Sequence, residues 1–157
     1  GDRGKDNIPE MDLKGINFQF SVGGDDKLNS SSWILKNWKY ESERRVWGEF
    51  FNLFEDNQVK VKELIVEPGK GMSLQRHAKR SEIWLVSQGK CLVNYSRESP
   101  DKTKEIILDK HHSIHIELGD WHQITNPYDE ICKIIEIQYG RETIEEDIER
   151  YSYYDND

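Results

Sequence analysis

Gln75, His77, Glu82 and His122 are the residues whose types and spacing could hold a metal ion. Gln75 and His77 are two apart, and alternate side chains of a strand share a face, so both point the same way. Glu82 follows the turn-like "AKRS", and a hairpin there brings it back beside His77. His122 opens a strand inside a second polar cluster, "GDWHQITN". Two oxygen donors and two imidazoles suit a first-row divalent ion with open positions, which is what Lewis-acid catalysis requires. The competing reading is a hydrogen-bonded polar wall in a metal-free barrel.

The elements that must position these residues are mostly strands. At 157 residues the chain is expected to bury one core. "GINFQFSV" (15–22) alternates apolar and polar side chains and predicts a short strand, "GGDDKLNSSS" reads as a loop, and "SWILKNWKY" (32–40) is ambiguous between strand and helix. From Trp47 onward the strand pattern dominates. "GEFFNLFED" and "QVKVKELIVEP" flank a predicted turn at Asp56-Asn57, and strands follow near 73–77, 82–87, 90–96, 104–108, 112–117, 121–125 and 131–139. This spacing predicts an all-β sandwich or barrel. The acidic "IEEDIERY" (144–151) predicts a short C-terminal helix, with Ile144 and Ile148 packing on the barrel or the segment lying as a lid over the pocket. The expected divisions are an arm over 1–40, a barrel over 41–141 and an acidic helix and tail over 142–157.

Composition excludes several classes. The net charge is −8, and much of it lies beyond Arg141, where seven acids face only Arg150. An acidic chain lacks the cations that nonspecific nucleic-acid binding needs. No apolar run reaches the ~18 residues of a membrane span, and no signal peptide is visible. Cys91 and Cys132 sit inside strand-like runs without metal spacing and read as buried, reduced thiols of a cytoplasmic protein. His111, His112 and His115 fall outside both polar clusters and read as surface residues. Trp84, in phase with Glu82, reads as core packing, and Trp47-Gly48 as the closure of one barrel end. The strand at 15–22 is a candidate edge strand, and its exchange would make a homodimer through the N-terminal arm.

The spacing Gly69-x5-Gln75-x-His77-x4-Glu82-x6-Gly89 resembles the first sequence motif of the cupin family, with Gln75 where most cupins carry histidine. Gly119-x2-His122-x3-Asn126 resembles the second, with Glu117 in the place of the usual proline. The resemblance implies a double-stranded β-helix, a jelly-roll barrel, with Gln75, His77, Glu82 and His122 as ligands inside its wider mouth. "RRVWGEF", "VKELIVEPGKGMSLQRHAKRSEIWLVSQG", "WHQITNP" and "IIEIQYGRETIEEDIERY" narrow the likeness to the cupin domain of type II mannose-6-phosphate isomerases. That domain often follows a guanylyltransferase domain in the family, and here it is expected to stand alone. The chain departs from the family pattern at Val46, Glu117 and Glu142-Thr143, and "YSYYDND" replaces the closing Asp-x-Tyr-Gly-Arg.

What this implies is a metal-dependent sugar-phosphate isomerase interconverting mannose 6-phosphate and fructose 6-phosphate. The expected cofactor is one divalent ion, Zn first, then Mn, Fe, Co or Ni. Aldose–ketose isomerisation needs an electrophile, a base and an anion clamp. Residues 68–80 hold Lys70, Arg76, Lys79 and Arg80 and no acid, an excess that suits a phosphate dianion. Arg80, inside the matched block, is the first candidate, with Lys70 and Lys79 beside it; Arg76 is out of phase with the ligands. The candidate bases are Glu136, a carboxylate in an apolar strand, and Lys62, in phase with Leu64 and Val66. The alternatives are a non-catalytic cupin that binds a sugar or sugar phosphate, and another metal-cupin enzyme such as an oxygenase.

Overall fold

In this computed structural model the alternating segments become pleated sheet. The structure describes residue 15 and residues 40–154, the latter within the second of two units into which the chain divides, Gly1–Lys39 and Tyr40–Asp157. The predicted strand at 15–22, with the arm exchange drawn from it, and the ambiguous segment 32–40 fall outside the described residues, apart from Gly15 and Tyr40.

The described strands are β1 (Glu41–Arg45), β2 (Gly48–Glu55), β3 (Val59–Val66), β4 (Lys70–Gly71), β5 (Leu74–Arg76), β6 (Arg80–Gln88), β7 (Cys91–Ser96), β8 (Lys104–Leu108), β9 (Ser113–Ile116), β10 (Trp121–Asn126), β11 (Cys132–Gly140) and β12 (Glu149–Ser152). The first sheet runs β1-β2-β3-β11-β6-β9. The second runs β12-β5-β10-β7-β8, with β4 also pairing β10. Every recorded pairing is antiparallel. Neither sheet closes on itself, so the expected barrel is two facing sheets. Their inner faces share one core, with Leu64, Val86 and Ile134 from the first sheet and Val93, Leu108 and Ile124 from the second.

Local chemistry sets the turns. Asp56 Oδ1 accepts from the backbone N–H of Gln58 and Val59, both at 2.9 Å, and closes the predicted β2–β3 hairpin. Gly89 adopts φ 69°, and a Cβ there would lie 2.5 Å from the Ile131 carbonyl oxygen. Only glycine fits both demands.

The three central strands β3, β11 and β6 alternate between buried and half-buried side chains. Their inward residues grade from apolar to polar. Leu64, Ile134 and Val86 form one rung; Lys62, Glu136 and Trp84 the next; Lys60, Gln138 and Glu82 the one after. One end of the sandwich is therefore sealed with hydrocarbon, and the other is a buried polar floor.

Two expectations are corrected. Residues 144–151 are not a helix, and the described residues hold no α-helix at all, only a 3-10 turn at Pro100–Lys102. A local turn and tertiary bonds from Arg80 take the groups a helix would use. The Ile144 carbonyl accepts from Asp147 N and from Arg80 Nη1, and the Asp147 carbonyl accepts from Arg80 Nη1 at 3.2 Å. The chain then joins the open edge of β5 as β12. Packing of this kind outweighs weak helix propensity in a segment too short to be stable alone. Second, "AKRS" does not close a hairpin. β5 belongs to the second sheet and β6 to the first, so the chain crosses between sheets there. Glu82 still meets His77, but across the sandwich.

Cys91 and Cys132 are buried free thiols, and His111, His112 and His115 are exposed, as expected. Among the described residues no helix is long and apolar enough to cross a membrane.

Candidate metal centre

His77 follows β5, Glu82 points inward from β6, and His122 is the second residue of the buried β10. Their exposures are 2%, 1% and 0%, and one potential ligand atom from each lies within 4.8 Å of the other two. His122 Nδ1 lies 2.9 Å from the Asp120 carbonyl and His77 Nδ1 lies against the Asp147 carbonyl, so each ring donates from Nδ1 and keeps its lone pair on Nε2. Those lone pairs converge on one carboxylate. His77 Nε2 is 3.2 Å from Glu82 Oε1, and His122 Nε2 is 3.7 Å from Glu82 Oε2. Metal-ligating histidines are oriented in just this way, through the opposite ring nitrogen.

The donor set fits a divalent ion on a second ground. His122 Nε2 is buried without a hydrogen-bond partner, and such an orphan is costly unless something claims it. Burial pushes the His122 imidazole down to about 4, which keeps it in the neutral, ligating form. Burial acts against the Glu82 charge, but the adjoining rings of His77 and His122 in their protonated forms, together with the Arg80 guanidinium, hold its carboxyl well below the ordinary range. The cluster is an anionic oxygen between two imidazole nitrogens, a set that a first-row ion accepts.

Gln75 pairs with His122 across β5 and β10, and its Oε1 accepts from Ser73 Oγ at 2.9 Å. Arg80, 4% exposed, donates to Glu82 Oε1 at 3.1 Å and to His77 Nε2 at 3.2 Å. A metal ion and this guanidinium therefore compete for the same imidazole lone pair. Gln75, Arg80, Glu82, Lys62 and Glu136 all line one cavity of about 480 Å³, a size ordinary for small-molecule sites. Lys70 and Lys79 are exposed and are not part of its lining; Lys79 pairs with Glu142 at 2.7 Å. Arg76 lies outside the cluster, stacked over Trp121 and paired with Glu149.

Glu136 is 6% exposed on the same polar floor. Burial, then the charge of Glu82, pushes its carboxyl up to about 7, and Lys62 and Arg80 offset this only in part. Trp84 Nε1 donates to Glu82 Oε2 and Glu136 Oε1, both at 3.1 Å, and Gln138 Nε2 donates to Glu136 Oε2 at 2.9 Å. Trp84 therefore packs in the core, as expected, and also bridges two carboxylates. Gln138 was legible in principle, since it lies two from Glu136 on one strand. Nothing local marks Asp147, whose carboxylate accepts from the backbone N–H of Ala78 and Lys79, both at 3.0 Å, while its carbonyl orients His77.

Comparison with known proteins gives the family and the fold. The family model described as mannose-6-phosphate isomerase C-terminal matches residues 36–153. Mannose-1-phosphate guanylyltransferase 2 of Escherichia coli O157:H7 is 37% identical over 124 residues, 74% of this chain and 24% of that protein. The alginate biosynthesis protein AlgA of Pseudomonas aeruginosa is 35% identical over 106 residues, 68% of this chain and 21% of that protein. The chain thus spans about a quarter or less of the length of these relatives. Among solved structures, the capsular polysaccharide assembling protein CapF of Staphylococcus aureus superposes with TM-score 0.59 at 21% identity, covering 65% of this chain and 29% of CapF. Oxalate decarboxylase of Lactobacillus farciminis gives TM-score 0.60 at 15% identity, covering 71% of this chain and 33% of that one. These two share the cupin fold seen here. On the span of the family match, this chain belongs to the mannose-6-phosphate isomerase C-terminal family of cupins.

Proposed function

We infer that the chain is a metal-dependent aldose–ketose isomerase of sugar phosphates, interconverting mannose 6-phosphate and fructose 6-phosphate in the cytoplasm. The observation that supports it best is that the His77–Glu82–His122 cluster reaches, through Glu82, a cavity whose wall also carries a separate buried carboxylate, Glu136, raised to about 7. His77, Glu82 and His122, with Gln75 as a fourth donor, would hold a divalent ion, which would supply Lewis acidity toward the sugar oxygens; zinc is the first candidate, then Mn, Fe, Co or Ni.

The proton chemistry belongs to the chain. Glu136 takes the proton from C2 of the open-chain aldose and returns it to C1, while a second proton passes from the C2 oxygen to the C1 oxygen. A base near neutrality serves both directions. Trp84 and Gln138 hold the Glu136 oxygens in place. Glu136 is preferred over Lys62 because the Lys62 ammonium is engaged by Glu145 at 2.6 Å. Gln138 Oε1, buried and without a partner, is available to a sugar hydroxyl. The guanylyl transfer in the name of the Escherichia coli relative belongs to a protein of which this chain covers 24%.

The test is a coupled assay for fructose 6-phosphate with and without chelator, beside elemental analysis of the purified protein. Turnover that chelation abolishes and a divalent ion restores is the expected result. Sugar-phosphate binding without turnover under any divalent metal would replace the isomerase with a binding protein, and oxygen uptake with iron would favour an oxygenase.

A further inference from the structure

Lys60 and Lys62 stand two apart on β3 with side chains 6% and 5% exposed, so both ammonium groups lie inside the fold. A buried charge is costly unless it is paired. Lys60 has Glu55 at 3.1 Å. Lys62 has Glu145 at 2.6 Å, and among the described residues no other carboxylate comes within ion-pair distance of it. Glu145 Oε1 also lies 3.3 Å from Lys60 Nζ, and these two ammonium groups hold its carboxyl below the ordinary range despite partial burial.

The neutralising group is not part of the wall. Glu145 hangs from residues 141–148, a strap between β11 and β12 that belongs to neither sheet, and its side chain is 53% exposed. Ile144 and Asp147 tie the strap's backbone to Arg80, and what is free to turn away is the half-exposed Glu145 side chain. Lys62, Glu145 and Arg80 line the same cavity as Glu82 and Gln75 of the metal centre. A fixed cation in the lining of a ligand cavity, lodged over the Phe50 ring and ion-paired with one carboxylate that hangs from a strap, is a site where one anion can be exchanged for another.

We propose that the Lys62 ammonium, backed by Lys60, is the subsite for the phosphate group of the cavity's ligand, and that the Glu145 carboxylate occupies this place until phosphate displaces it. This rests on the sugar-phosphate reading above. It moves the anion clamp from residues 68–80 to β3: the Arg80 guanidinium, the first candidate, lines the cavity but is engaged by Glu82, His77 and two strap carbonyls, Lys79 pairs with Glu142, and Lys70 lies outside the cavity lining. A phosphate dianion brings more charge and three acceptor oxygens against the carboxylate's two, so it competes well for both ammonium groups.

The experiment is calorimetric titration of the full chain and two variants with mannose 6-phosphate, inorganic phosphate and mannose. Glu145→Gln removes the competing charge and is expected to tighten mannose 6-phosphate and inorganic phosphate about tenfold, leaving mannose unchanged. Lys62→Gln, shown to be folded by its urea transition, is expected to weaken both phosphates by about tenfold or more. Unchanged or weaker phosphate binding in Glu145→Gln overturns the proposal, as does wild-type phosphate affinity in folded Lys62→Gln. Turnover assayed in parallel separates the two readings. A Glu145→Gln gain without isomerase turnover retains the subsite and discards the isomerase; turnover whose KM neither substitution moves retains the isomerase and discards the subsite.

Discussion

Glu136 and His122 are buried titratable groups whose environments push them in opposite directions, and pH should reveal both. The folded state holds the Glu136 proton more tightly than the unfolded chain, with a pKa of about 7 against 4.5. Its contribution to stability is therefore lost as pH rises from about 4.5 to about 7, on the order of 3 kcal/mol in all. His122 has the reverse sign. Its pKa falls from 6.5 to about 4, so its contribution is lost as pH falls through that window. The two partly cancel in the native chain, but subtracting Glu136→Gln from wild type isolates the first. Urea unfolding of chelator-treated protein between pH 4 and 8 should show the variant gaining relative stability as pH rises; a flat difference would mean Glu136 ionises normally. If Glu136 is the base, the same substitution lowers kcat by about 10²–10⁴ and leaves KM nearly unchanged, measurable in the coupled assay.

At the scale of elements, β3, β11 and β6 carry the site because their inward residues change from hydrocarbon to polar along one register. A one-residue slip in β11 would turn Glu136 and Gln138 outward and bring Ile135 and Ile137 in, so the apolar rungs pin the polar ones. The strap after β11 does the rest. Asp147 satisfies two backbone N–H groups at the crossover from β5 to β6 and orients His77 through its carbonyl. Asp147→Ala should cost about 1–3 kcal/mol in thermal or urea unfolding, since it leaves those donors without an acceptor. It should also weaken the binding of a divalent ion by about 10- to 100-fold, because the strap loses the carboxylate anchor that keeps the Asp147 carbonyl against His77. A competition titration with a chromophoric chelator reads the second effect, and an unchanged affinity would show that His77 is held well enough by β5 alone.

For the whole molecule, a metal ion that binds the folded chain but not the unfolded one adds stability by mass action, about 2.7 kcal/mol at a hundred times Kd. For a chain of 157 residues this corresponds to a loss on the order of 5–10 °C in Tm when a chelator strips the ion. His122→Ala should abolish that difference, and a chelator effect that survives in the variant would place the ion elsewhere. The sequence by itself determined the strands from Gly48 onward, the inward parity of Lys62 and Glu136, and the buried thiols, because alternation is a local property written every two residues. The convergence of His77, Glu82 and His122 came from the spacing of family motifs, although the hairpin invoked to bring it about does not exist. Only the tertiary structure decided that "IEEDIERY" ends in a strand rather than forming a helix, that Trp84 bridges two carboxylates, and that Glu145 neutralises Lys62. Those outcomes depend on partners 52 to 83 positions away. No local pattern encodes such partners, because a buried charge or an open sheet edge selects them only after the two sheets have met.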